Sequence, residues 1–440
     1  MQEKPTEALN GVSSDFNGLQ CYDQFIIDYR QRSSTDCRER SLKITDIRFA
    51  VIGESPVIRV ITDEGIDGFG AAERAKPYLI THVLELLPAL IGEDPTNIEH
   101  CMLKIRHRGA FKPWGSAVSA IEIALWDIAG KAAGLPVYKM LGGKVRNRVR
   151  VYNGAVRWHM TSFHPEDFAA DVARQKASPE GFTMIKEALA FHSQMRSELA
   201  DFTYGDQRTS SLPGYLTRGP LTEKAFKHLL KCVDAMKDVL GDDVGLALDC
   251  GPGWTVGDTI RFARAVEQYN LLWIEDTIAG DYTPWSAANL YREVTRATST
   301  PTHTGEQIYL RQNFRELIET HAIRVVGPDP CDIGGIAELK WVAEYADLHG
   351  ILMAPHGTGN GLIGLAAMVQ VCATLPGNYL AFEYTIGKPD WWYDILVGLP
   401  DPIVKDGFID VWDSPGIGVS FDVEKTRPYL REEDAAFFDS

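Results

Sequence analysis

Between residues 149 and 384 the chain repeats one pattern eight times: a short run rich in Val, Ile and Leu, followed by a segment long enough for a helix. A parallel strand needs such a crossover before the next strand can lie beside it, so the repetition favours a closed parallel sheet surrounded by helices. We therefore predict an α/β protein whose main domain is a (β/α)8-type, modified TIM barrel. The predicted strands are Val149–Asn153, Thr183–Lys186, Gly245–Asp249, Leu271–Glu275, Pro301–Glu306, Ile323–Asp329, Ile351–His356 and Tyr379–Glu383.

Every predicted strand after the first ends in an ionisable residue. In a parallel barrel the catalytic groups belong to the carboxyl ends of the strands, which meet at one mouth. We therefore expect these side chains to converge there. They are Lys186, Asp249, Glu275, Glu306, Asp329, His356 and Glu383.

Three of these residues are carboxylates on successive strands: Asp249, Glu275 and Glu306. Taken singly, each would be an ordinary strand-end cap or an ion-pair partner. Converging at one mouth, they would repel one another, and the pKa of each would rise unless a cation neutralised them. Hard oxygen ligands with room for water and substrate suit Mg²⁺. The pattern predicts a magnesium site.

At these residues the sequence resembles the mandelate racemase branch of the enolase superfamily. That branch has an Asp, a Glu and a Glu as metal ligands at the ends of the third, fourth and fifth barrel strands, and Asp249, Glu275 and Glu306 match those places. The longer interval before Glu306 is assigned to an insertion around Gly280–Trp285. The resemblance runs from about Ile44 to Leu430 and includes Ala120–Lys131 and Leu141-Gly-Gly143.

The resemblance also implies the acid–base residues. His356 matches a catalytic His on the seventh strand, and Asp329 matches the Asp that binds it from the sixth. A carboxylate on one imidazole nitrogen fixes the tautomer and raises the basicity of the other nitrogen. Lys186 matches the first of two lysines on the second strand, whereas Ala188 stands where the second, a base, is usual. The alternative for His356 is a structural histidine of the core that is hydrogen-bonded to a nearby acid. The alternative for Lys186 is an ordinary surface lysine.

Two further residues are candidates for substrate binding. Glu383 matches an eighth-strand acid that contacts the substrate carboxylate, so we expect a raised pKa unless it forms a structural ion pair. Lys112 lies in Arg108–Trp114. This segment, Glu54–Pro56 and the long loop after Lys186 depart most from the family and are expected to set specificity. Lys186 is expected to steady the substrate carboxylate or its enolate.

The resemblance implies one class of reaction, the removal of a proton beside a carboxylate with Mg²⁺ holding the charge of the enediolate. Because Ala188 removes the usual second base, we predict a one-base lyase that dehydrates a sugar acid to a 2-keto-3-deoxy acid. One alternative is a racemase, epimerase or cycloisomerase that uses Lys186, His192 or Tyr204. Another is a non-catalytic relative that binds metal or acid.

The sequence on either side of the barrel is predicted to form an α+β capping domain, built from the N-terminal segment and the C-terminal tail. Short apolar runs at Ile47–Ile52 and Val57–Thr62 predict an antiparallel meander, and helical patterns follow at Pro77–Ile91 and Ser116–Lys131. The predicted parts are a polar N-terminal extension (1–40), the N-terminal capping domain (41–148), the barrel domain (149–398) with a long insertion at 187–221, and a C-terminal segment (399–440) that returns to the capping domain.

Composition limits the partners. A net charge of −16 argues against nucleic acid and against anionic lipid, so we expect a small-molecule carboxylate, a sugar acid, as the partner, and no membrane. Seven scattered cysteines without a CxxC pair favour reduced thiols, and the absence of a secretory pattern adds to the expectation of a cytoplasmic protein. The resemblance implies a homo-oligomer.

Overall fold

The first part of the fold is a three-stranded antiparallel sheet, β1 (Ile44–Ile52), β2 (Ser55–Thr62) and β3 (Gly68–Ala71). The computed structural model describes residues 42–72, 78–109, 112–154, 160, 162–193, 195, 199, 201–204, 219–278, 286–357 and 361–439. The predicted extension (1–40), the predicted insertion at Gly280–Trp285 and most of the long loop therefore lie outside the described residues.

Helices follow this sheet along the chain. They are α1 (Leu79–Leu86), α2 (Ile98–Ile105), α3 (Lys112–Ala133) and α4 (Val137–Met140). Strand β3 packs directly on α3, where a Cβ at Gly68 or Gly70 would overlap the carbonyl oxygens of Ala124 and Ala120. Only glycine permits so close an approach, which fixes the long helix against the sheet.

Eight parallel strands of the described chain then form the barrel. They are β4 (Arg148–Asn153), β5 (Met184–Ala188), β6 (Gly245–Asp249), β7 (Ile274–Glu275), β8 (Thr302–Thr304), β9 (Val325–Val326), β10 (Leu352–Met353) and β11 (Phe382–Tyr384). Each pairs with the next in chain order, and β11 pairs with β4. The ring closes between β10 and β11 because Met353 bridges Tyr379 and accepts the Leu380 N–H at 2.8 Å.

Helices alternate with these strands and bury their apolar faces against the barrel. They are α5 (Pro165–Lys176), α6 (Glu223–Leu240), α7 (Val256–Ala265), α8 (Ala288–Ala297), α9 (Arg315–Glu319), α10 (Ile336–Leu348) and α11 (Gly361–Cys372). Side-chain hydroxyls begin two of them: Thr222 caps α6 and Thr255 caps α7. The predicted α/β fold, a (β/α)8-type barrel with an α+β capping domain, is confirmed.

The C-terminal residues contact both the first sheet and the barrel, where one of their strands pairs antiparallel with β4. They form α12 (Trp391–Asp394), β12 (Leu396–Val397), β13 (Phe408–Asp410), β14 (Ser420–Phe421) and α13 (Val423–Thr426). The ring of Phe421 lies 5.2 Å from that of Phe69 on β3, and Asp434 accepts the N–H of Val51 on β1 at 2.8 Å. None of the helices in the described ranges is both long and apolar enough to cross a membrane.

Several barrel strands are shorter than predicted, so some predicted strand-end residues lie just beyond the strands. Glu306 follows β8 by two residues, and Asp329 and His356 follow β9 and β10 by three. The backbone leaves the ladder early because Gly305 has a φ of +140° and because prolines beside Asp329 and before His356 have no N–H to donate. The third meander strand, β3, was not predicted, since its glycine-rich sequence carries little strand signal.

Candidate active site

Lys186 stands at the centre of the barrel mouth, and its side chain is only 2% exposed. Its Nζ lies 2.6 Å from Glu275 Oε1, 3.3 Å from Glu383 Oε1 and 3.6 Å from Asp249 Oδ2. The strands that carry these residues are neighbours in the ring, in the order β11, β4, β5, β6, β7. Lys186 is therefore a buried counter-ion shared by three acids and not a surface lysine.

Lys186 and the neighbouring carboxylates stabilise one another in their charged forms. Burial alone would lower the pKa of Lys186, but Glu275 and Glu383 outweigh it and raise that pKa well above its usual value. Burial alone would raise the pKa of Glu275, yet Lys186, followed by His303, lowers it to about 2. Near neutral pH the lysine is thus protonated and Glu275 is ionised.

Two stacked aromatic rings lie next to the second carboxylate oxygen of Glu275, Oε2. Trp273 Nε1 donates to Glu275 Oε2 at 2.7 Å, and His303 Nδ1 lies 3.2 Å from the same oxygen. The rings of Trp273 and His303 are stacked with centroids 5.1 Å apart, and both are buried. The indole donor fixes Oε2 of Glu275, and the other oxygen, Oε1, faces Lys186 Nζ at 2.6 Å.

Among the described residues, one group of acids has the spacing of a metal site. Oxygens of Glu275, Asp276 and Glu306 lie within 4.8 Å of one another, and all three residues are buried. Hard carboxylate oxygens so close together fit a divalent cation such as Mg²⁺. Two of the three predicted ligands are brought together here, and Asp276 joins them in place of Asp249.

Sequence reasoning did not find Asp276. Consecutive residues of a strand point to opposite faces, so an acid directly after Glu275 is expected to turn away from the mouth. Asp276 instead has a left-handed backbone, with a φ of +52°, and its Oδ1 accepts a hydrogen bond from Thr304 Oγ1 at 2.6 Å. Only the Glu-Asp pair at the end of a strand could have signalled it. Asp249 itself lies 3.3 Å from His192 Nε2.

The predicted pair of His356 and Asp329 is present in the structure. His356 Nδ1 lies 2.7 Å from Asp329 Oδ2, and in the neutral ring this contact requires the proton on Nδ1. The other nitrogen, Nε2, faces the mouth at 3.4 Å from Glu306 Oε2 and 3.5 Å from Glu383 Oε2. Burial by itself lowers the pKa of His356, but Glu383 and Asp329 raise it to about 9.

The two predicted substrate-binding residues have different outcomes. Glu383 is buried between Lys186 and His356, and its Oε2 also accepts the N–H of Gly357 at 3.3 Å. It therefore forms the structural ion pair that was the alternative to a raised pKa, and its contact with a substrate carboxylate stays a prediction. Lys112 is the first residue of α3, but its side chain lies outside the described residues.

Comparisons with known proteins agree with this geometry. Residues 47–142 match the family model of the mandelate racemase/muconate lactonizing enzyme N-terminal domain, and residues 169–426 match that of the enolase C-terminal domain-like family. The chain is 30% identical over 416 residues to D-xylonate dehydratase of Haloferax volcanii, which covers 90% of this chain and 91% of the relative. It is 29% identical to a D-mannonate dehydratase of Caulobacter vibrioides, covering 89% of this chain and 96% of the relative.

A solved structure is similar over the same range. A mandelate racemase/muconate lactonizing enzyme-like protein from Rubrobacter xylanophilus has a TM-score of 0.76 and 30% identity, covering 89% of this chain and 98% of that one. Fold and mouth together define an α/β-barrel enzyme with acid–base groups at the strand ends. The chain belongs to the enolase superfamily, in its mandelate racemase/muconate lactonizing enzyme branch.

Proposed function

We propose that the enzyme removes the α proton of a sugar acid and eliminates the β-hydroxyl as water, which yields a 2-keto-3-deoxy acid. The observation that carries the proposal is the pairing of His356 with Asp329 at 2.7 Å, with the other imidazole nitrogen turned to the mouth. Relatives named as dehydratases of D-xylonate and D-mannonate support a sugar acid as the substrate. The intact pair argues against a non-catalytic binder.

One imidazole serves both halves of this reaction. With Nδ1–H held by Asp329, the lone pair of His356 Nε2 accepts the α proton and leaves an enediolate on the substrate. The resulting imidazolium then donates that proton to the β-hydroxyl, which departs as water while the electrons of the enediolate form the new double bond. The enol that remains gains a proton at the β carbon and loses its hydroxyl proton, which gives the keto acid. The syn elimination itself needs no acid other than His356.

The metal ligands that we propose are Asp249, Glu275 and Glu306, with Mg²⁺ as the cation. Asp249 and Glu275 are paired in register between β6 and β7, which directs both side chains to the same face of the sheet. When bound, the cation would supply positive charge that stabilises the enediolate and lowers the pKa of His356 toward neutrality. Asp276 is the rival third ligand.

The ligand assignment has a direct test in two matched variants. Asp249→Asn is expected to weaken Mg²⁺ binding by at least about tenfold, because even the partners of metal ligands are worth that much. Asp276→Asn is expected to have a smaller effect, since one of its oxygens is already engaged by Thr304. Isothermal titration with Mg²⁺ measures both dissociation constants. The reverse order would replace Asp249 with Asp276 in the proposed set.

Lys186 and Glu383 are proposed to hold the carboxylate end of the substrate. The raised pKa of Lys186 keeps it protonated, so it contributes charge and is unsuited to remove a proton. Its contacts with Glu275 and Glu383 place that charge beside the pair formed by His356 and Asp329. We expect the lysine to stabilise negative charge that develops on the substrate oxygens.

An epimerase is the second candidate, because one further imidazole reaches the mouth. The His192 side chain is 19% exposed and follows β5 in a short 3₁₀ turn, where it lies 3.3 Å from Asp249 of β6, the strand opposite β10 in the ring. The other bases considered for this reaction fit it less well. Lys186 is held protonated, and Tyr204 is 65% exposed.

The proposed function is tested by incubating the protein with Mg²⁺ and a panel of diastereomeric sugar acids in D₂O. A 2-keto-3-deoxy product is the expected result. Incorporation of α-deuterium without elimination would favour the epimerase. If neither product nor exchange appears with any acid in the panel, while the acids still bind, the chain is a binder.

A further inference from the structure

The segment between β9 and α10 carries one half of the proposed acid–base pair. Asp329 opens a tight turn in which its carbonyl oxygen accepts the N–H groups of Asp332 and Ile333 at 3.0 and 2.8 Å. Its side-chain Oδ1 accepts the Cys331 N–H at 2.7 Å, which leaves Oδ2 for His356. The position of Asp329 is therefore tied to that of the turn that follows it.

The capping-domain helix α3 binds this turn through polar residues spaced three apart. The Ser116 hydroxyl donates to the Asp332 carboxylate, and Ser119 Oγ accepts the Gly334 N–H at 2.9 Å. One turn further along, Glu122 accepts the Ile336 N–H on Oε2 at 2.7 Å and the Ala337 N–H on Oε1 at 3.0 Å. A spacing of three residues keeps these side chains along one face of the helix.

Glu122 is an unusual residue for the interior of a helix interface. It is fully buried, and burial raises its pKa to about 7 in spite of the N–H donors around it. The donors are the first N–H groups of α10, which have no partner inside their own helix, and the indole N–H of Trp126 at 2.7 Å. A Cβ at Gly335, where φ is +107°, would overlap the Glu122 carboxylate. The turn after β9 and the Glu122 carboxylate are therefore in close contact, with no room for a side chain at Gly335.

We propose that Ser119 and Glu122 are positioning residues, which hold the turn after β9 so that Asp329 keeps His356 aimed at the α carbon of the substrate. The inference rests on the proposed function of His356. Both residues belong to the capping domain and act through the turn, without touching the substrate. A displacement of about 1 Å at a catalytic group can reduce a rate roughly 100-fold, so a loosened turn is expected to affect kcat.

Asp127 provides a matched control on the same helix. Like Glu122 it is a fully buried carboxylate, and it accepts two backbone N–H groups, from Phe69 at 3.1 Å and Ile417 at 3.0 Å. Those groups belong to β3 and to the C-terminal segment, away from the barrel mouth. Asp127 also pairs with Lys131 at 2.7 Å, so Asp127→Asn disturbs α3 at least as much as Glu122→Gln, but only Glu122→Gln disturbs the turn that carries Asp329.

The experiment compares Ser119→Ala, Glu122→Gln and Asp127→Asn in the full chain with Mg²⁺. Ser119→Ala removes only a hydroxyl and provides the test should Glu122→Gln fail to fold. For Ser119→Ala and Glu122→Gln we expect kcat for α-proton removal to fall at least about tenfold with little change in KM or in Mg²⁺ affinity. With α-deuterated substrate, the isotope effect on kcat should increase, because proton removal becomes slower. Asp127→Asn should leave kcat and the isotope effect as in the wild type.

Unchanged kcat in both test variants, or equal losses in all three variants that follow their melting temperatures, would overturn the inference. Proton exchange into D₂O is measured separately from elimination. A wild type that exchanges without eliminating would therefore refute the proposed dehydration and still test the positioning role. A wild type that eliminates while the variants match it would refute the positioning role alone.

Discussion

Replacing His356 with asparagine is expected to lower the rate of elimination by roughly 10³-fold, within the range of about 10² to 10⁴ that a positioned acid–base group supplies. The asparagine amide can still donate to Asp329, which lies 2.7 Å from the imidazole, so the buried carboxylate keeps a partner. What the variant loses is the Nε2 lone pair that faces the mouth. Elimination and α-deuterium exchange should therefore fall together.

The Mg²⁺ affinity of His356→Asn shows whether the variant has lost only the base or has also lost the metal site. His356 Nε2 contacts Glu306 only at 3.4 Å, so the proposed ligands should bind Mg²⁺ nearly as well in the variant. His349→Asn is the matched control, because that ring lies at the end of α10 against Tyr345, with centroids 4.9 Å apart. A His356→Asn enzyme that retains wild-type turnover would remove His356 from the mechanism.

The barrel and the contact between Asp329 and His356 could be predicted from the sequence because both depend on position along the chain. A strand can be recognised from an apolar run of about five residues. The carboxyl ends of parallel strands in a barrel all lie at the same mouth. Asp329 and His356 each follow one of two neighbouring parallel strands, so the order of strands places them side by side at the mouth. The contact at 2.7 Å is what that order implies.

The charge network could not be predicted, because it depends on backbone geometry and on contacts between distant strands. A left-handed φ at Asp276 turns a side chain that strand periodicity directs elsewhere. The role of Lys186 as a counter-ion to Glu275 and Glu383 requires knowing that the ring closes from β11 back to β4. Likewise, the hydrogen bonds from the start of α10 to Glu122 join residues more than 200 positions apart, and no local sequence pattern indicates them.

Substitution of Lys186 with methionine should affect both stability and catalysis. Methionine fills a similar volume but leaves Glu275, Glu383 and Asp249 without the ammonium that lies 2.6, 3.3 and 3.6 Å from them. Breaking a buried ion pair by removing one partner costs about 3 to 5 kcal/mol. Loss of a charge that faces the developing oxyanion should lower kcat by about 10² to 10³-fold. Urea unfolding and steady-state kinetics measure the two effects.

The pH dependence of the variant gives the sharper result. In the wild type the pKa of Glu275 is lowered to about 2, so its contribution to stability is present above the unfolded pKa, about 4.3, and is lost as the pH falls toward 2. Without Lys186, burial dominates and the pKa of Glu275 rises above the unfolded value. The variant should then gain stability relative to the wild type as the pH falls from 8 to 5.5, because a protonated Glu275 needs no counter-ion.

Two comparisons decide whether Lys186 acts through charge at this site. Lys425→Met removes an exposed lysine that pairs with Asp394 at 2.9 Å, and its unfolding should change little at either pH. Mg²⁺ should bind more tightly to Lys186→Met than to the wild type, because a cation at Glu275 and Asp249 no longer meets a neighbouring positive charge. Tighter Mg²⁺ binding together with lost turnover would assign the lysine to the substrate oxyanion. Weaker Mg²⁺ binding, with an unfolding free energy that does not depend on pH, would contradict that assignment, since the carboxylates would then depend on Lys186 for their geometry and not for their charge.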